Sequence, residues 1–288
     1  MTTAYSIREE AGKRFLLLTG PWSTKAQGVM ARERLSGLRL SGYAGWLEKD
    51  ITFLRELPFL ERLDLWAVGL RDLTPLYELS KLRKLSLDGL SKKVDFTKLP
   101  SLEDLHISHW KERIYGTLFS CKVLRNVAIT GFPGRNLSRF ASVSQLENLA
   151  LSFAKIDSLQ GAAELAKLVR LSFGSVNCLQ TLRGLEGCRG LKLMWVEGAK
   201  QLREIGSLSS LSHLRTLNLT DCPLLESLRP ITGLPELEAV WFFGGTNVRD
   251  GDLSVVDSLP NLKYAKFVDR EHYSRKSAQY PKSLDFFK

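Results

Sequence analysis

The sequence is short of the β-branched residues that fill conventional buried parallel sheets. It contains 14 valines and 8 isoleucines against 53 leucines, whereas such sheets are rich in valine and isoleucine. The hydrophobic fraction, 44%, is nevertheless high enough for a sizeable core, and this excludes a disordered chain. So large an excess of one residue type favours a repeated structural unit.

Long apolar runs and paired cysteines are also missing. No window approaches the roughly 18 uninterrupted apolar residues that a membrane-spanning helix needs. The N-terminal segment carries Glu9 and Glu10 before its only apolar run, unlike a secretory leader. The cysteines form no CxxC pair and show no metal-ligand spacing with a histidine, which favours free buried thiols; they are Cys121, Cys178, Cys188 and Cys222. These absences predict a cytoplasmic protein with no membrane segment, cofactor or metal.

A Leu-x-x-Leu-x-Leu unit recurs eleven times, with conservative replacements. The first and third anchors of successive units are Leu35/Leu40, Leu60/Leu65, Leu82/Leu87, Leu102/Ile107, Leu124/Ile129, Leu146/Leu151, Leu168/Phe173, Leu191/Val196, Leu214/Leu219, Leu237/Phe242 and Leu262/Phe267. Third anchors lie 20 to 25 residues apart, most often 22 or 23. The unit predicts one strand, and the every-third apolar spacing that follows it predicts short helical or 3-10 turns.

These residues resemble the leucine-rich repeat family, more narrowly its 22-residue class, found in internalins and in a regulator of a protein phosphatase. The resemblance spans residues 35–268 and implies an α/β, right-handed solenoid of about eleven coils. Its parallel sheet would line the concave face, with short helical or 3-10 turns on the convex face. One departure is that the usual asparagine-ladder position holds other residues, among them Val68, Trp110 and Cys222.

The segments that flank the array have the patterns of caps. In residues 1–34, Tyr5–Arg8 and Lys13–Leu18 are predicted to form a hairpin, and Ser23–Arg34 a helix with Ser23 as its N-cap. Residues 269–288 lose the repeat and end near Phe286 and Phe287. Either part of this segment packs on the last coil, or it is a mobile tail.

Alternation along each strand predicts which side chains face the concave surface. The C-terminal coils place large apolar groups there, a composition typical of interface hot spots. We therefore predict a partner-binding group of Trp195, Trp241, Phe243 and Tyr264. The alternative is that the flanking tail covers them. Trp46 and Trp110 fall at inward positions and are predicted to be core.

The first four coils place charged residues of both signs on the same surface. The predicted partner-binding residues in these coils are Trp66, Arg62, Asp64, Asp88, Asp104 and His106. Three of the carboxylates and the histidine could in principle support acid–base chemistry or a weak metal site. However, Arg62 and Lys84 are natural counter-ions, and an open surface does not exclude water. A salt-linked recognition patch is favoured over a hydrolytic or metal-dependent site at Asp104 and His106.

The net charge of +10 invites a nucleic-acid interpretation, which the positions of the charges do not support. The concave face carries a net charge of only +1, residues 1–34 carry +3 and residues 269–288 carry +2. No basic stripe therefore lines the groove. Polyanion binding through the basic caps remains the alternative to a protein partner.

The chain also lacks a GxSxG motif, a phosphate loop and an HExxH motif. The prediction is a non-enzymatic scaffold, with a monomer favoured, that recognises a partner protein on its concave face. An inhibitor, immunity or regulatory role would suit such a binder. The sequence does not identify the partner.

Overall fold

The computed structural model describes residues 4–280 of the chain. These residues divide into two compact units, the first reaching Ile129 and the second beginning at Thr130. Both units are built from strands joined by turns and short helices.

The first unit opens with the predicted hairpin. Strand β1 (Tyr5–Glu10) pairs antiparallel with β2 (Lys13–Leu18). The connecting Ala11 and Gly12 both have positive φ angles, +50° and +71°, as a two-residue turn between twisted strands requires. Helix α1 (Thr24–Arg32) follows, and the Ser23 side chain accepts a hydrogen bond from the amide of Ala26. The predicted hairpin and N-capped helix are confirmed.

The remaining strands of the first unit add to β2 in chain order, all parallel. They are β3 (Gly37–Ser41), β4 (Arg62–Trp66), β5 (Lys84–Asp88), β6 (Asp104–Ile107) and β7 (Asn126–Thr130). Leu16 lies opposite Leu38, so the hairpin continues the sheet and covers the first coil. The returning segments contain α2 (Glu112–Tyr115) and the 3-10 helices Gly42–Ala44, Thr52–Glu56, Thr74–Glu78, Phe96–Lys98 and Gly116–Ser120.

The second unit repeats this plan. Its strands, parallel and paired in chain order, are β8 (Asn148–Ser152), β9 (Arg170–Gly174), β10 (Leu193–Glu197), β11 (Thr216–Thr220), β12 (Ala239–Phe242) and β13 (Tyr264–Phe267). Its 3-10 helices are Ser138–Ser142, Ala162–Glu164, Gly206–Ser210, Arg229–Ile231, Ser254–Ser258 and Ser277–Gln279.

The leucine anchors form the core of each unit. In the coil of β8, Leu149, Leu151 and Leu159 are buried, and the same positions are buried in the neighbouring coils. The strands β3–β13 begin at the same position of the repeat, and within each unit neighbouring strands pair in register. The predicted fold class, a leucine-rich repeat solenoid with a parallel sheet and short 3-10 turns, is confirmed.

Two positions after the strands differ from the prediction. Val68 is exposed because Ala67, one residue earlier, takes the inward position. Trp46 is buried as predicted, but Trp110 is only half-buried, and its ring lies against those of Tyr115 and Phe119. Tyr115, which is buried, occupies the inner side of this coil, and Trp110 packs against it from outside.

Other groups replace an asparagine ladder. The hydroxyl of Thr246 donates to the carbonyl of Leu219 and accepts a hydrogen bond from the amide of Cys222, at 3.1 Å.

All four cysteines are free, as predicted, although Cys178 is exposed rather than buried. Burial raises the pKa of the Cys222 thiol to about 12, which keeps it in the unreactive thiol form.

The segment after β13 packs in part on the last coil, as one of the two alternatives predicted. Tyr273 is buried, with its ring edge-on to those of Phe242 and Phe267, and Tyr280 also contacts Phe267. Phe286 and Phe287 lie outside the described residues. Within residues 4–280, no helix has the length and apolar content needed to span a membrane.

Candidate protein-binding surface

The sheet face opposite the core, termed the open face, carries an aromatic patch in the second unit. This patch consists of Trp195 on β10, Trp241 on β12 and Phe243 directly after β12. Trp195 and Phe243 are 37% and 40% exposed. The rings of Trp195 and Trp241 are 6.4 Å apart between centroids, on either side of Asn218 on β11. Three of the four predicted aromatic residues therefore share one outward surface.

Tyr264, the fourth predicted anchor, does not belong to that outward surface. Its side chain is only 4% exposed, and its ring lies 5.0 Å from that of Trp241 on the neighbouring strand. Strand alternation gave its direction correctly, but the larger Trp241 side chain leans over it. Tyr264 therefore packs under Trp241 and adds little to the exposed surface.

Neighbouring polar groups hold the patch in place. Asn218 is buried between the two tryptophans, and its side-chain oxygen accepts a hydrogen bond from the amide of Thr220. The indole N–H of Trp195 donates to Glu197 at 3.3 Å. The ammonium of Lys266 lies 4.6 Å from the centre of the Phe243 ring, a cation–π contact. The patch is therefore pre-formed, with charged groups at its margin.

The charged residues of the first unit form an arginine network. Arg39 and Arg62 each pair with the carboxylate of Asp64 at 2.8 Å and with that of Glu10 at 2.7 Å. Both guanidinium groups lie over the Phe15 ring, 4.4 and 4.7 Å from its centre. The two cations are thus neutralised by two carboxylates, one of which comes from the N-terminal hairpin.

This network changes the interpretation of Arg62 and Asp64 as contact residues. The Asp64 side chain is 2% exposed, because the arginines of its own and the preceding strand close over it. Asp64 is therefore not part of the exposed surface. Arg62 is mostly covered and already paired. Glu10 was missed in the sequence; its place at the end of β1, beside a two-residue turn, was the available signal.

Trp66 and His106 are connected by a hydrogen-bonded path. The Arg39 guanidinium lies 4.6 Å from the centre of the Trp66 ring. The Trp66 indole donates to the Ser86 hydroxyl at 3.0 Å, and that hydroxyl lies 3.1 Å from Nδ1 of His106. The packing around the His106 ring lowers its pKa, which favours the neutral form near pH 7.

The other two predicted acids, Asp88 and Asp104, form hydrogen bonds with different residues. Asp88 accepts hydrogen bonds from the Tyr43 hydroxyl at 3.2 Å and pairs with Nδ1 of His109 at 2.8 Å. Asp104 accepts a hydrogen bond from the Asn126 side chain. In this part of the sheet it is therefore His109, which follows the strand, and not His106, that contacts an acid.

Asp64, Asp88, Asp104 and His106 consequently do not converge on one point. Each acid has a separate set of partners, and His106 contacts a serine. No group of three or more histidine, cysteine or acidic side chains in the described part of the chain could hold a metal ion. The geometry gives no support to acid–base chemistry at Asp104 and His106.

Glu10 should make stability depend on pH in the acid range. Its hydrogen bonds from Arg39 and Arg62 lower its pKa from 4.5 to about 2 in the folded chain. The unfolded chain therefore binds a proton at higher pH, so this stabilisation is complete above the unfolded pKa and is lost from about pH 4.5 down to about pH 2. We expect Glu10→Gln to reduce the loss of unfolding free energy between about pH 5 and about pH 3, measured by urea denaturation.

The neighbouring Glu9 provides the control, because its side chain is exposed and, within residues 4–280, forms no ion pair or hydrogen bond. Glu9→Gln should leave the pH profile of the wild type unchanged. Parallel profiles for wild type and Glu10→Gln would show that Glu10 does not couple its ionisation to folding.

Comparison with known proteins defines the fold and not the family. No protein-family model matches the chain, and no curated protein matches it. An internalin from Listeria monocytogenes is similar in structure, at 18% identity and a TM-score of 0.51, over 89% of this chain and 87% of the internalin. The similarity places the chain in the class of leucine-rich repeat structures.

A second similar structure comes from a plant. It is the leucine-rich repeat ectodomain of a membrane receptor kinase from Arabidopsis thaliana, in complex with Casparian strip integrity factor 2. Identity is 14% and the TM-score 0.52, over 82% of this chain and 33% of the ectodomain. At such identities the likeness concerns the fold alone.

Proposed function

We propose that the protein is a non-enzymatic scaffold that binds a partner protein through the aromatic patch of its second unit. The observation that carries the proposal is the exposure of Trp195 and Phe243 on a regular sheet, where isolated monomers rarely present grouped aromatic side chains. The similar receptor ectodomain also binds another factor with this fold, as its complex shows.

The patch has the properties of an interface hot spot. Large aromatic side chains supply much apolar area for few rotatable bonds. The supports under the patch, Asn218 and Tyr264, limit the conformational freedom that Trp241 would lose on binding. Truncation of a tryptophan in such a position typically costs about 2 kcal/mol or more of binding free energy.

The charged residues of the first unit have a secondary role in the proposal. The arginine network keeps that part of the open face in shape, while exposed Lys84 and His106 and half-buried Asp104 and Trp66 are available for contact. Such groups influence orientation and association rate more than affinity. The biological role best suited to this binder is inhibition, immunity or regulation by occlusion of a partner's surface.

We further propose the following domain limits, location and oligomeric state. Residues 35–268 are the repeat array, with residues 1–34 as N-terminal cap and residues 269–288 as C-terminal cap or tail. The protein acts in the cytoplasm and as a monomer. It does so without a cofactor.

Affinity capture from the native cell, followed by measurement of Kd for the main captured protein, tests the patch. Trp195→Ala and Trp241→Ala are each expected to weaken binding by about 30-fold, the equivalent of about 2 kcal/mol. Phe153→Ala is the matched control, since Phe153 is an exposed aromatic residue of the same unit outside the patch. Its Kd should equal that of the wild type.

The salt dependence of the same Kd separates a protein interface from polyanion binding. Binding to a polyanion would weaken steeply with added salt, whereas an aromatic interface should change little. Equal retention of the partner by the double tryptophan variant and the wild type would place the interface elsewhere.

A further inference from the structure

A second apolar surface lies in the first unit, at the edge where strands β3 and β4 end. It is a cavity of about 590 Å³ whose apolar wall includes Tyr43, Trp46, Leu47, Trp66 and Val68. Tyr43 is 84% exposed, and Leu47 and Val68 are each 77% exposed. Three large apolar side chains so close together at the surface are more than isolated exposure explains.

A carboxylate in the cavity wall has neither a lysine nor an arginine as a partner within residues 4–280. The Asp88 side chain is 12% exposed; it accepts a hydrogen bond from the Tyr43 hydroxyl and pairs with Nδ1 of His109 at 2.8 Å. Over the described chain, no lysine or arginine forms an ion pair with it. The negative charge of Asp88 raises the pKa of the Tyr43 hydroxyl. This acid contrasts with Asp64 a short distance along the sheet, which two arginines neutralise.

The charges at the rim do not cancel that of Asp88. Glu48 and Lys49 also line the cavity and carry opposite charges. The lining therefore carries two acids, Glu48 and Asp88, against one lysine, Lys49, and the Asp88 carboxylate is largely withdrawn from water. A cationic group delivered by a partner would be favoured there, because ion pairs strengthen as solvent is excluded.

The floor of the cavity contains a second unsatisfied group. The indole N–H of Trp46 is buried and has no hydrogen-bond acceptor in the described part of the chain. A buried donor without an acceptor is unfavourable. Because Trp46 lines the cavity, the resonance of this N–H is a local reporter of an occupant.

We propose that this cavity binds an arginine side chain of a partner protein, flanked by apolar residues of the same segment. The guanidinium pairs with Asp88, whose oxygens each accept one bond in the free protein and retain a lone pair for another. The apolar neighbours cover Leu47 and Val68. Arginine is preferred to lysine because its planar cation both stacks on aromatic rings and bonds to carboxylates in pairs.

A protein segment fits the cavity better than a small molecule does. The volume lies within the range of ligand sites, but Tyr43, Leu47 and Val68 project outward and would remain uncovered by a ligand of that size. A segment with apolar residues on both sides of the arginine covers them. The site uses only residues of the first unit, so it stands independently of the aromatic patch.

Nuclear magnetic resonance of the tryptophan indoles tests the proposal on the full chain. The probe is the capped tripeptide Leu-Arg-Leu, added at millimolar concentration to protein labelled with ¹⁵N at its tryptophans. The indole resonances of Trp46 and Trp66 should shift with saturation, while those of Trp195 and Trp241 stay in place. A tripeptide with citrulline instead of arginine has the same shape without the charge and should bind at least about tenfold more weakly.

Variants then locate the contacts. Asp88→Asn should weaken binding of the arginine peptide by about tenfold or more, and Val68→Ser should weaken it by a few fold. Asp72→Asn and Val123→Ser are the controls, as an acid and an exposed valine of the same unit away from the cavity. Because Val68 is at the surface, its substitution leaves the fold intact even if Asp88→Asn does not.

Equal affinity for the citrulline and arginine peptides would overturn the proposal, as would unshifted Trp46 and Trp66 resonances. If Val68→Ser binds the arginine peptide with wild-type affinity, the proposed contact between Val68 and the apolar residues of the peptide is wrong. The double variant Trp195→Ala, Trp241→Ala should bind the peptide normally. Failure of the aromatic patch and failure of this site are therefore distinguishable.

Discussion

Asp64→Ala should destabilise the protein by about 3–5 kcal/mol, the range found when one partner of a buried ion pair is removed. The Asp64 carboxylate is 2% exposed and is bonded to both Arg39 and Arg62. Its loss leaves two neighbouring cations that share only the half-exposed carboxylate of Glu10. Urea denaturation of the full chain measures the change in unfolding free energy.

An exposed ion pair of the same unit is the control. Arg55 and Glu78 lie 3.0 Å apart with both side chains about half in water. Glu78→Ala should therefore cost less than about 1 kcal/mol. A cost for Asp64→Ala as small as that for Glu78→Ala would show that the network is not a determinant of stability.

The origin of the cost can also be tested. If unpaired cations cause the destabilisation, Arg39→Met in the Asp64→Ala background should recover part of the lost free energy, since it removes one cation and keeps the volume over Phe15. Simple addition of the two single effects would instead mean that the side chains contribute independently. Unpaired arginines would then not be the cause of the destabilisation.

The repeat made most of the fold predictable. Because each coil can bury its leucines only against its neighbours, the anchors fixed the register, and Leu149 and Leu151 are buried as that register requires. Ser23 was identifiable as an N-cap because its hydroxyl precedes a helix with free amide groups. Both inferences depend on local geometry that side-chain type controls directly.

Exposure on the open face was less predictable. Alternation along a strand gives the direction of a side chain, but it does not show whether neighbouring side chains cover it. Tyr264 is covered by Trp241, and Asp64 by Arg39 and Arg62. Long side chains reach across strands about 4.8 Å apart, so a residue beside a longer one is covered by it. This holds for Tyr264 beside the larger Trp241 and for Asp64 beside two arginines.

The cavity beside Asp88 left a weaker signal in the sequence. The interval from Leu40 to Leu65 is 25 residues, longer than the 22 between the next two anchors. Six residues of this longer coil line the cavity, among them Tyr43 and Leu47. The departure from the regular period was visible, but the position of the extra residues depends on Gly45, whose positive φ of +97° redirects the chain.

Gly184→Ala should destabilise the protein by roughly 2–5 kcal/mol, the sum of a left-handed backbone penalty and overpacking. Gly184 has a φ of +109°, and a Cβ there would lie 2.4 Å from the carbonyl oxygen of Leu159 in the preceding coil. The atoms it would meet are backbone, which cannot rotate away. Stacked coils approach so closely here that only a glycine fits.

Two other glycines of the second unit separate these causes. Gly233 has a φ of +66° and Gly206 lacks a positive φ, and a Cβ at either would meet no atom within 4 Å. Gly206→Ala should be neutral, and Gly233→Ala should cost about 1 kcal/mol from the backbone alone. Urea denaturation should show the smallest loss of unfolding free energy for Gly206→Ala, a larger loss for Gly233→Ala and the largest for Gly184→Ala. If Gly184→Ala unfolds with the same free energy as Gly233→Ala, the coils can separate slightly at little cost, and close backbone stacking does not limit the sequence at this position.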